Sequence, residues 1–333
     1  MTKANRLALS VLVVLFLAAF AAAQSYTVTD LGGGQAFAIN SLGDVVERDN
    51  YNNSFIWSPD GSLLALAPLT ACMTTNPYGI NSQGLAVGLS ATGQGYLAVL
   101  WTNGEPQYLG MLPGGRACSG TGINASEEVS GYCYIYAGAE AFLWTKATGM
   151  QGLGFLPGGT FSFAQAINRF GQVAGYSGAS DNSDKDYAFI WSKTTGMQNL
   201  GKLPGYYGSA AFAINDLGQV AGASTCNNPF VCPAHAVLWS KTKGSMLDLG
   251  VLQGDTYPFS FALGMNNVGQ VVGWSKYRAF VWSPSTGMLD LNNLIPANSG
   301  WVLELANGIN DKGQIVGYGA FNGQVEAFLL TPQ

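Results

Sequence analysis

Three side chains in one polar segment have the types and spacing of calcium ligands. Asn182, Asp184 and Asp186 alternate along the segment 181–186. Carboxylate and amide oxygens are the hard ligands that Ca²⁺ takes, and alternate positions of one loop can supply them together. No later Glu stands at the distance at which an EF-hand loop places its bidentate ligand. We therefore expect no cofactor, with calcium at this loop as the alternative to a solvated polar loop.

Side chains that enzymes use for acid–base or nucleophilic chemistry are sparse in this sequence. His235 is the only histidine, and it enters a predicted strand beside Pro233, where a structural hydrogen bond is the simpler role. The chain has no Gly-x-Ser-x-Gly nucleophile elbow. Paired carboxylates for glycoside hydrolysis need not be neighbours in sequence, so a polysaccharide hydrolase or lyase stays an alternative. We expect a protein that is not an enzyme.

The cysteines predict two disulfides. Cys118 and Cys133 are equally far from the turn at 124–127, so they should lie opposite each other across a hairpin. Cys226 and Cys232 flank a short loop. The alternative is that the five cysteines of the chain stay reduced and buried. No C-x-x-C pair occurs, which argues against a zinc site.

Trp274, Tyr277 and Arg278 are the candidate ligand contacts. Six other tryptophans recur at one repeat position, which indicates core packing, whereas Trp274 lies outside that pattern. The three candidates stand at a short connection between two predicted strands. Connections that vary on a rigid scaffold are where binding usually resides. The other variable connections of this kind include 48–53, 180–186 and 225–233.

A repeat of roughly 45 residues must position these side chains. Its first anchor is an Asn, usually after Ile, with a Gly three residues later. One copy carries Glu127 in place of the Gly. Asn and Gly favour tight turns, so each anchor predicts a hairpin turn between two strands. The seven anchors are Asn40, Asn81, Asn124, Asn168, Asn215, Asn266 and Asn310.

Two further anchors complete a unit of four short strands. An aromatic or Val residue, an aliphatic residue and Trp form the third strand, as in 189–191, and a Gly-Met segment begins the fourth. Units of this size predict propeller blades. The repeats start near residues 35, 72, 118, 161, 208, 258 and 303. The last unit stops after three strands, and the segment 26–32 resembles a missing fourth.

Joining these two ends would close the ring and leave no open sheet edge. We therefore predict an all-β fold, a seven-bladed β-propeller of four-stranded antiparallel blades in which the N-terminal strand completes the last blade. Residues 24–333 form this single domain. An open solenoid of seven units is the alternative, but it would leave the segment 26–32 unexplained.

Residues 1–23 have the layout of a secretory signal peptide. Lys3 and Arg6 precede an apolar run at 7–20, and small residues follow at 21–23. The run is too short for a typical membrane-spanning helix. The chain has 14 basic and 19 acidic residues, and two of the basic ones lie in this leader. After cleavage, 12 basic and 19 acidic residues would remain, so the expected net charge of the mature chain is −7. We expect a secreted or periplasmic monomer with no transmembrane segment and no nucleic-acid partner.

The repeated phrases resemble the bacterial extracellular HAF-repeat family, which is named after a His-Ala-Phe triplet before Leu-Trp. The nearest match is His-Ala-Val-Leu-Trp at 235–239, and four other units keep Ala-Phe without the histidine. The resemblance covers nearly all of the mature chain. It implies a β-propeller-like repeat protein outside the cell, and it carries no set of catalytic residues.

The sequence therefore predicts an extracellular binding or interaction module whose ligand is a carbohydrate or a protein. A propeller-type polysaccharide hydrolase or lyase is one alternative, and a structural envelope protein without a small ligand is another. The regular repeat and the scarcity of titratable groups favour a binding module over an enzyme, because 10% of residues are charged against roughly a quarter in an average domain. The same features are equally compatible with the structural envelope protein.

Overall fold

A computed structural model describes residues 25–71, 73–136, 138–178, 186–225, 233–240, 245–254 and 258–333. The first strands are β1 (Tyr26–Ile39), β2 (Val45–Asp49), β3 (Ser54–Trp57), β4 (Leu63–Ala65), β5 (Thr75–Ile80), β6 (Ala86–Thr92), β7 (Gly95–Thr102), β8 (Glu105–Tyr108), β9 (Gly115–Ile123), β10 (Val129–Ile135), β11 (Gly138–Thr145), β12 (Gly149–Gly152) and β13 (Phe161–Ile167). The others are β14 (Val173–Gly178), β15 (Tyr187–Ser192), β16 (Gly196–Asn199), β17 (Gly208–Ile214), β18 (Val220–Thr225), β19 (His235–Ser240), β20 (Ser245–Gly250), β21 (Ser260–Met265), β22 (Val271–Ser275), β23 (Arg278–Ser283), β24 (Gly287–Asp290), β25 (Trp301–Ile309), β26 (Ile315–Phe321) and β27 (Gln324–Pro332), with a 3-10 helix at Leu291–Asn293.

These strands form an all-β, propeller-like fold. Within the described residues, five sheets have four antiparallel strands each: β5–β8, β9–β12, β13–β16, β17–β20 and β21–β24. One further sheet has seven strands, in the order β25-β26-β27-β1-β2-β3-β4. No helix in the described part of the chain has the length and apolar character that crossing a membrane requires.

The seven-stranded sheet arises because β1 pairs with a different strand along each half of its length. Its first half pairs with β27, from Tyr26 opposite Pro332 onward, and its second half pairs with β2. Gly34 stands where the partner changes, with φ of +137°. A Cβ there would lie 2.1 Å from the Arg48 backbone oxygen, so only glycine fits this crossing. Residues 26–33 are thus hydrogen-bonded to the C-terminal strand β27.

Apolar side chains fill the space between neighbouring sheets. Val46 and Ile56 of one sheet pack with Val99 and Trp101 of the next, and Trp101 is fully buried. Of the six repeated tryptophans, Trp101, Trp144, Trp239 and Trp282 are buried, and Trp57 and Trp191 are half-buried. Both faces of each sheet therefore serve as core, which is how packed twisted sheets bury their area without helices.

The seven repeated asparagines form a closed circle of hydrogen bonds, which we call the asparagine ring. Each Nδ2 donates to the backbone oxygen of the asparagine in the next unit, at 3.0–3.3 Å. The circle runs Asn40, Asn81, Asn124, Asn168, Asn215, Asn266, Asn310 and back to Asn40. It joins the ends of all the innermost strands to one another.

Every asparagine of the ring also shapes its own turn. The Oδ1 atom of Asn168 accepts hydrogen bonds from the backbone N–H of Phe170 at 3.1 Å and of Gln172 at 3.0 Å. Its second amide hydrogen is donated to the Gln172 side chain at 2.9 Å. The ring asparagines are only 3–6% exposed, so their amides are buried and fully hydrogen-bonded.

Glu47 breaks the repeat at the sheet that joins the chain ends. The matching position on the second strand of the other units is glycine: Gly88, Gly131, Gly175, Gly222, Gly273 and Gly317. A Cβ at these glycines would lie 1.9–2.1 Å from a backbone oxygen of the innermost strand. Phe55, opposite Glu47, is half-buried, whereas Phe142 and Phe189, opposite glycines, are fully buried.

Glu47 is 7% exposed. Burial raises its pKa from 4.5 to about 7, and the nearby Asp49 carboxylate adds to the shift. Because the pKa is higher in the folded chain, the folded state binds this proton more tightly than the unfolded state does. The stabilisation is present below the unfolded value of 4.5 and is lost as pH rises through about 7.

Replacing Asn168 should test the asparagine ring. Asn168→Ala removes both the bond to the next unit and the turn bonds, so we expect the free energy of unfolding to fall by roughly 2–4 kcal/mol in urea titrations. Asn168→Asp keeps the turn acceptors but loses the donor to Asn215. It should be at least as destabilising at pH 8, because it also places a carboxylate against a carbonyl oxygen. Wild-type stability of Asn168→Asp would show that the turn alone matters.

Glu47→Gln should make the protein more stable at alkaline pH only. We expect a gain of about 3 kcal/mol in the free energy of unfolding at pH 8, where the wild type must keep a buried carboxylate, and little difference at pH 4.5. Urea unfolding at the two pH values measures both. Glu105→Gln, an exposed position, is the control. Identical pH profiles for Glu47→Gln and the wild type would contradict the assignment.

Candidate functional site

Every innermost strand carries a β-bulge at the same repeat position. In each case the pairing with the second strand skips one residue, always the third before the ring asparagine. A bulge re-aims the skipped side chain away from the ladder. We call the skipped residues the bulge layer. Its members are Phe37, Tyr78, Thr121, Gln165, Phe212, Leu263 and Asn307.

The bulge layer lines a cavity of about 290 Å³ enclosed by the innermost strands, which we call the channel cavity. Below the bulge layer lies an aliphatic layer made of Ile39, Ile80, Ile123, Ile167, Ile214, Met265 and Ile309. The aliphatic layer also bounds a second cavity of about 260 Å³, which the asparagine ring surrounds. The channel therefore has a turn mouth at the asparagine ring and a loop mouth at its other end.

The side chains of the bulge layer are chemically mixed but carry no carboxylate, amine or guanidinium. Thr121 donates to the Ala164 backbone oxygen at 3.0 Å, and Asn307 donates to the Ala36 backbone oxygen at 2.8 Å. Within the described residues, no hydrogen bond uses the half-buried Gln165 amide. The layer thus offers apolar surface and at least one unused amide to a ligand.

Above the channel cavity, aromatic side chains from three neighbouring sheets meet at the loop mouth. Phe163 lies in the centre, with its ring centroid 4.8 Å from Tyr132 and 5.2 Å from Tyr176, on which it stacks. Tyr134 touches both Phe163 and Tyr96. We call these side chains the tyrosine group. Its members are Tyr78, Tyr96, Tyr132, Tyr134, Phe163 and Tyr176.

Four hydroxyls of this group, those of Tyr78, Tyr96, Tyr132 and Tyr176, keep their protons. Burial raises the pKa of Tyr132 and of Tyr176 to about 12, and it raises the pKa of Tyr78 and Tyr96 as well. A neutral phenol both donates and accepts hydrogen bonds. The Arg48 guanidinium lies beside this group, where it donates to the side-chain oxygen of Asn76.

A second aromatic cluster, the tryptophan group, lies on two other sheets. Trp274 stacks on Phe261 with a centroid distance of 5.6 Å and an interplanar angle of 7°. Phe259 packs against both rings, and Phe261 contacts Phe212 of the bulge layer at 6.1 Å. Tyr277 lies 6.1 Å from Trp274 at the outer end. These five rings lead from the channel cavity to the surface.

The turn that presents Tyr277 has an unfavourable backbone. Lys276 and Tyr277 both have positive φ, of 43° and 65°, as a two-residue type I′ hairpin turn requires. The equivalent turn of the last unit uses Asn322 and Gly323, the residues that this turn prefers. Tyr277 is 75% exposed, so packing does not compensate for the strain. Strain of this kind gathers at binding sites.

The structure separates the three predicted ligand contacts. Trp274 and Tyr277 both belong to the tryptophan group. Arg278 stands opposite Ser275 in the ladder, on the other face of the hairpin from Trp274. Its guanidinium donates to the Asp290 carboxylate at 2.8 Å, so it is held in an ion pair.

The disulfide between Cys118 and Cys133 is confirmed. The two cysteines are directly opposite in the β9–β10 ladder, with 4.0 Å between their Cα atoms. Cys226 and Cys232 lie outside the described residues.

The predicted calcium ligands Asn182 and Asp184 also lie outside the described residues. Asp186 is described and half-buried, and its negative charge contributes to the raised pKa of Tyr176. His235 lies on a third strand, away from the innermost strands, and pairs through Nδ1 with the Asp248 carboxylate at 2.9–3.0 Å.

The bulge layer and the tyrosine group are the features that the sequence repeat did not predict. The available signal was the residue three before each ring asparagine, which varies among Phe, Tyr, Thr, Gln, Leu and Asn beside a nearly constant Ile-Asn. A strictly alternating strand would not distinguish this position from its neighbours. The bulge that gives it a special direction is visible only in the pairing of the strands.

Solved structures of low sequence identity share this fold. A catalytically inactive virginiamycin B lyase from Staphylococcus aureus, solved with quinupristin, has a TM-score of 0.56 and 11% identity, covering 91% of this chain and 99% of its own. The WD40 β-propeller domain of Doa1 has a TM-score of 0.52 and 12% identity, covering 92% and 96%. TolB from Acinetobacter baumannii has a TM-score of 0.50 and 10% identity, covering 90% of this chain and 64% of TolB.

At these identities, the likeness shows a β-propeller fold and nothing about activity. No protein-family model and no curated protein sequence matches the chain.

Exchanging the two type I′ turns should show the strain at Tyr277. The double change Lys276→Asn with Tyr277→Gly should raise the free energy of unfolding by about 1 kcal/mol, because Asn and Gly adopt positive φ at lower cost. The reverse change, Asn322→Lys with Gly323→Tyr, should lower it by a similar amount. Urea unfolding measures both. A loss of stability in the first variant would mean that the turn is not strained.

Proposed function

We propose that the protein is a non-catalytic extracellular recognition module, a seven-bladed β-propeller that binds a polysaccharide at the loop mouth of its channel. The observation that carries this proposal is the gathering of two aromatic groups, from five units of the repeat, around one charge-free cavity. A protein partner is the alternative ligand.

Two features support the count of seven blades. The asparagine ring has seven members and closes on itself from Asn310 to Asn40. The double pairing of β1 supplies a fourth strand to the last unit and a first strand to the first unit. On this reading, the seven-stranded sheet is two blades that share one continuous strand.

An extracellular or periplasmic site of action fits the leader-like residues 1–23. It also fits the disulfide between Cys118 and Cys133, because structural disulfides persist in oxidising compartments. We assign the chain to the HAF-repeat family as part of the same proposal, on the repeated Ile-Asn and Ala-Phe phrases.

The aromatic groups suit a ligand made of rings. Trp274 and Phe261 present flat apolar faces, and the tyrosine group on the preceding sheets adds neutral hydroxyls. Tyrosine and tryptophan combine an apolar ring with a polar group, so they suit a ligand that is apolar in one part and hydrated in another. A sugar ring has both, with C–H groups on its faces and hydroxyls on its edges.

The absence of catalysis is part of the proposal. The single histidine bonds to Asp248 on the outer strands, and the bulge layer holds no carboxylate that could act as an acid or base. The lyase among the similar structures shares the fold at 11% identity, which does not extend its activity to this chain.

Binding to polysaccharides should depend on the exposed aromatic side chains of the loop mouth. We expect the mature chain, from Gln24 onward, to bind at least one of a panel of insoluble polysaccharides and cell-wall fractions in a pull-down. The double variant Tyr134→Ala with Tyr277→Ala should bind at least tenfold more weakly, because it removes one stacking surface from each aromatic group.

Phe170→Ala is the matched control, because Phe170 is an exposed aromatic side chain at the opposite, turn mouth. It should bind as the wild type does. Equal loss in both variants would move the site away from the loop mouth, and release of soluble sugar would make the protein an enzyme.

Binding only to protein components of the cell-wall fractions would favour the protein ligand. Loss of binding with a chelator would support calcium at the loop 181–186.

A further inference from the structure

We infer that the channel cavity takes the uncharged end of a sugar chain, inserted from the loop mouth, and that the bulge layer determines which sugar fits. This inference rests on the proposed function, because it names the part of the polysaccharide that is bound and where it lies. It also assigns a role to Gln165, which neither the repeat nor the aromatic groups explain.

The ligand enters from one side because the two ends of the channel differ. Toward the turn mouth, the aliphatic layer presents Ile and Met side chains that offer no hydrogen bond to a sugar hydroxyl. Beyond it, the ring amides already donate to the backbone oxygen of the next ring asparagine and to their own turns, as Asn168 does to Asn215 and Gln172. A hydroxylated chain therefore meets partners in the bulge layer and none in the next layer down. It should stop there.

The cavity favours an uncharged ligand. The bulge layer has no charged side chain, so a carboxylate or ammonium inserted into it would lose water without gaining a counter-ion. The Arg48 guanidinium is at the mouth and is already hydrogen-bonded to Asn76. Uronic acids and amino sugars should therefore be rejected relative to neutral sugars.

The size and polar groups of the cavity fit a small part of a larger ligand. Its volume of about 290 Å³ is just below the range for ligand pockets, which run from roughly 300 to 1,000 Å³. Gln165 offers an amide that makes no hydrogen bond within the described residues, and Tyr78, another member of the bulge layer, carries a hydroxyl that is hydrogen-bonded to Asn76. An amide can donate to one sugar hydroxyl and accept from another. Tyr78 also belongs to the tyrosine group, so the cavity and the stacking surface are continuous.

End-on insertion should be visible as competition by short sugars. We expect neutral di- and trisaccharides of the bound polysaccharide to displace the mature chain from the polymer completely, because the chain end holds all the contacts in the cavity. Matched acidic oligosaccharides, such as oligogalacturonides, should compete at least tenfold more weakly. Isothermal titration with the same oligosaccharides gives the affinities directly.

Gln165→Leu should weaken oligosaccharide binding about tenfold, because it removes the amide while keeping an apolar side chain of similar size. Gln198→Leu, on the exposed outer strand β16, is the control and should bind as the wild type does. Thermal unfolding of both variants at the wild-type temperature separates a loss of binding from a loss of folding.

The outcomes distinguish this inference from the proposed function. If no polysaccharide and no oligosaccharide binds, both fail. If the polymer binds and the Tyr134 and Tyr277 variant weakens it, but short sugars do not compete or Gln165→Leu has no effect, the proposed function stands and end-on insertion is wrong. Equal competition by acidic sugars would refute the selection for uncharged ends.

Discussion

The asparagine ring is the interaction on which the rest of the structure depends. Each ring amide uses its oxygen to hold its own turn and its nitrogen to reach the next unit, so local and long-range structure are specified by one side chain. Because these amides are buried, an unmade bond would cost more than a made bond contributes. The circle can close only if all the innermost strands end at the same level and at one spacing. It therefore fixes the geometry of the channel that the site uses.

Because the asparagine ring fixes the ends of the innermost strands, the residues of the bulge layer can differ from unit to unit. The bulge at the third residue before each ring asparagine turns that side chain toward the channel without disturbing the ladder on either side. The residues next to it stay small, as at Gly79 and Gly264, because neighbouring innermost strands come within van der Waals contact there. The innermost strands thus form a regular frame, and the bulge layer is its one variable part. Variable positions on a regular scaffold are where binding usually resides. The aromatic groups extend that layer to the surface.

Departures from the repeat mark places where another requirement outweighs regular packing. The Lys276–Tyr277 turn keeps a strained backbone where Asn and Gly would cost less, and it exposes an aromatic ring beside Trp274. Glu47 places a buried carboxyl at a repeat position that is glycine in the six other units. At those glycines, phenylalanine rings or backbone atoms lie where a side chain would be. The Lys276–Tyr277 turn lies near the loop mouth, and Glu47 lies in the sheet that joins the chain ends. Neither lies at the regular turns of the asparagine ring. Similar solved structures share the β-propeller fold alone, at about a tenth of identical residues.

The sequence by itself determined the repeat, its four short strands and an all-β, propeller-like fold, because turn residues and alternating apolar residues act locally. It also determined the disulfide between Cys118 and Cys133, since two residues equally far from a hairpin turn must face each other. Only the tertiary structure decided which side chains share a site. It paired Arg278 with Asp290, on the opposite face of the hairpin from Trp274, and it brought Tyr78, Tyr132 and Tyr176 together from three sheets. Side chains dozens of residues apart meet only when neighbouring sheets pack, and in the bulge layer the direction of a side chain also depends on how its strand pairs with the next.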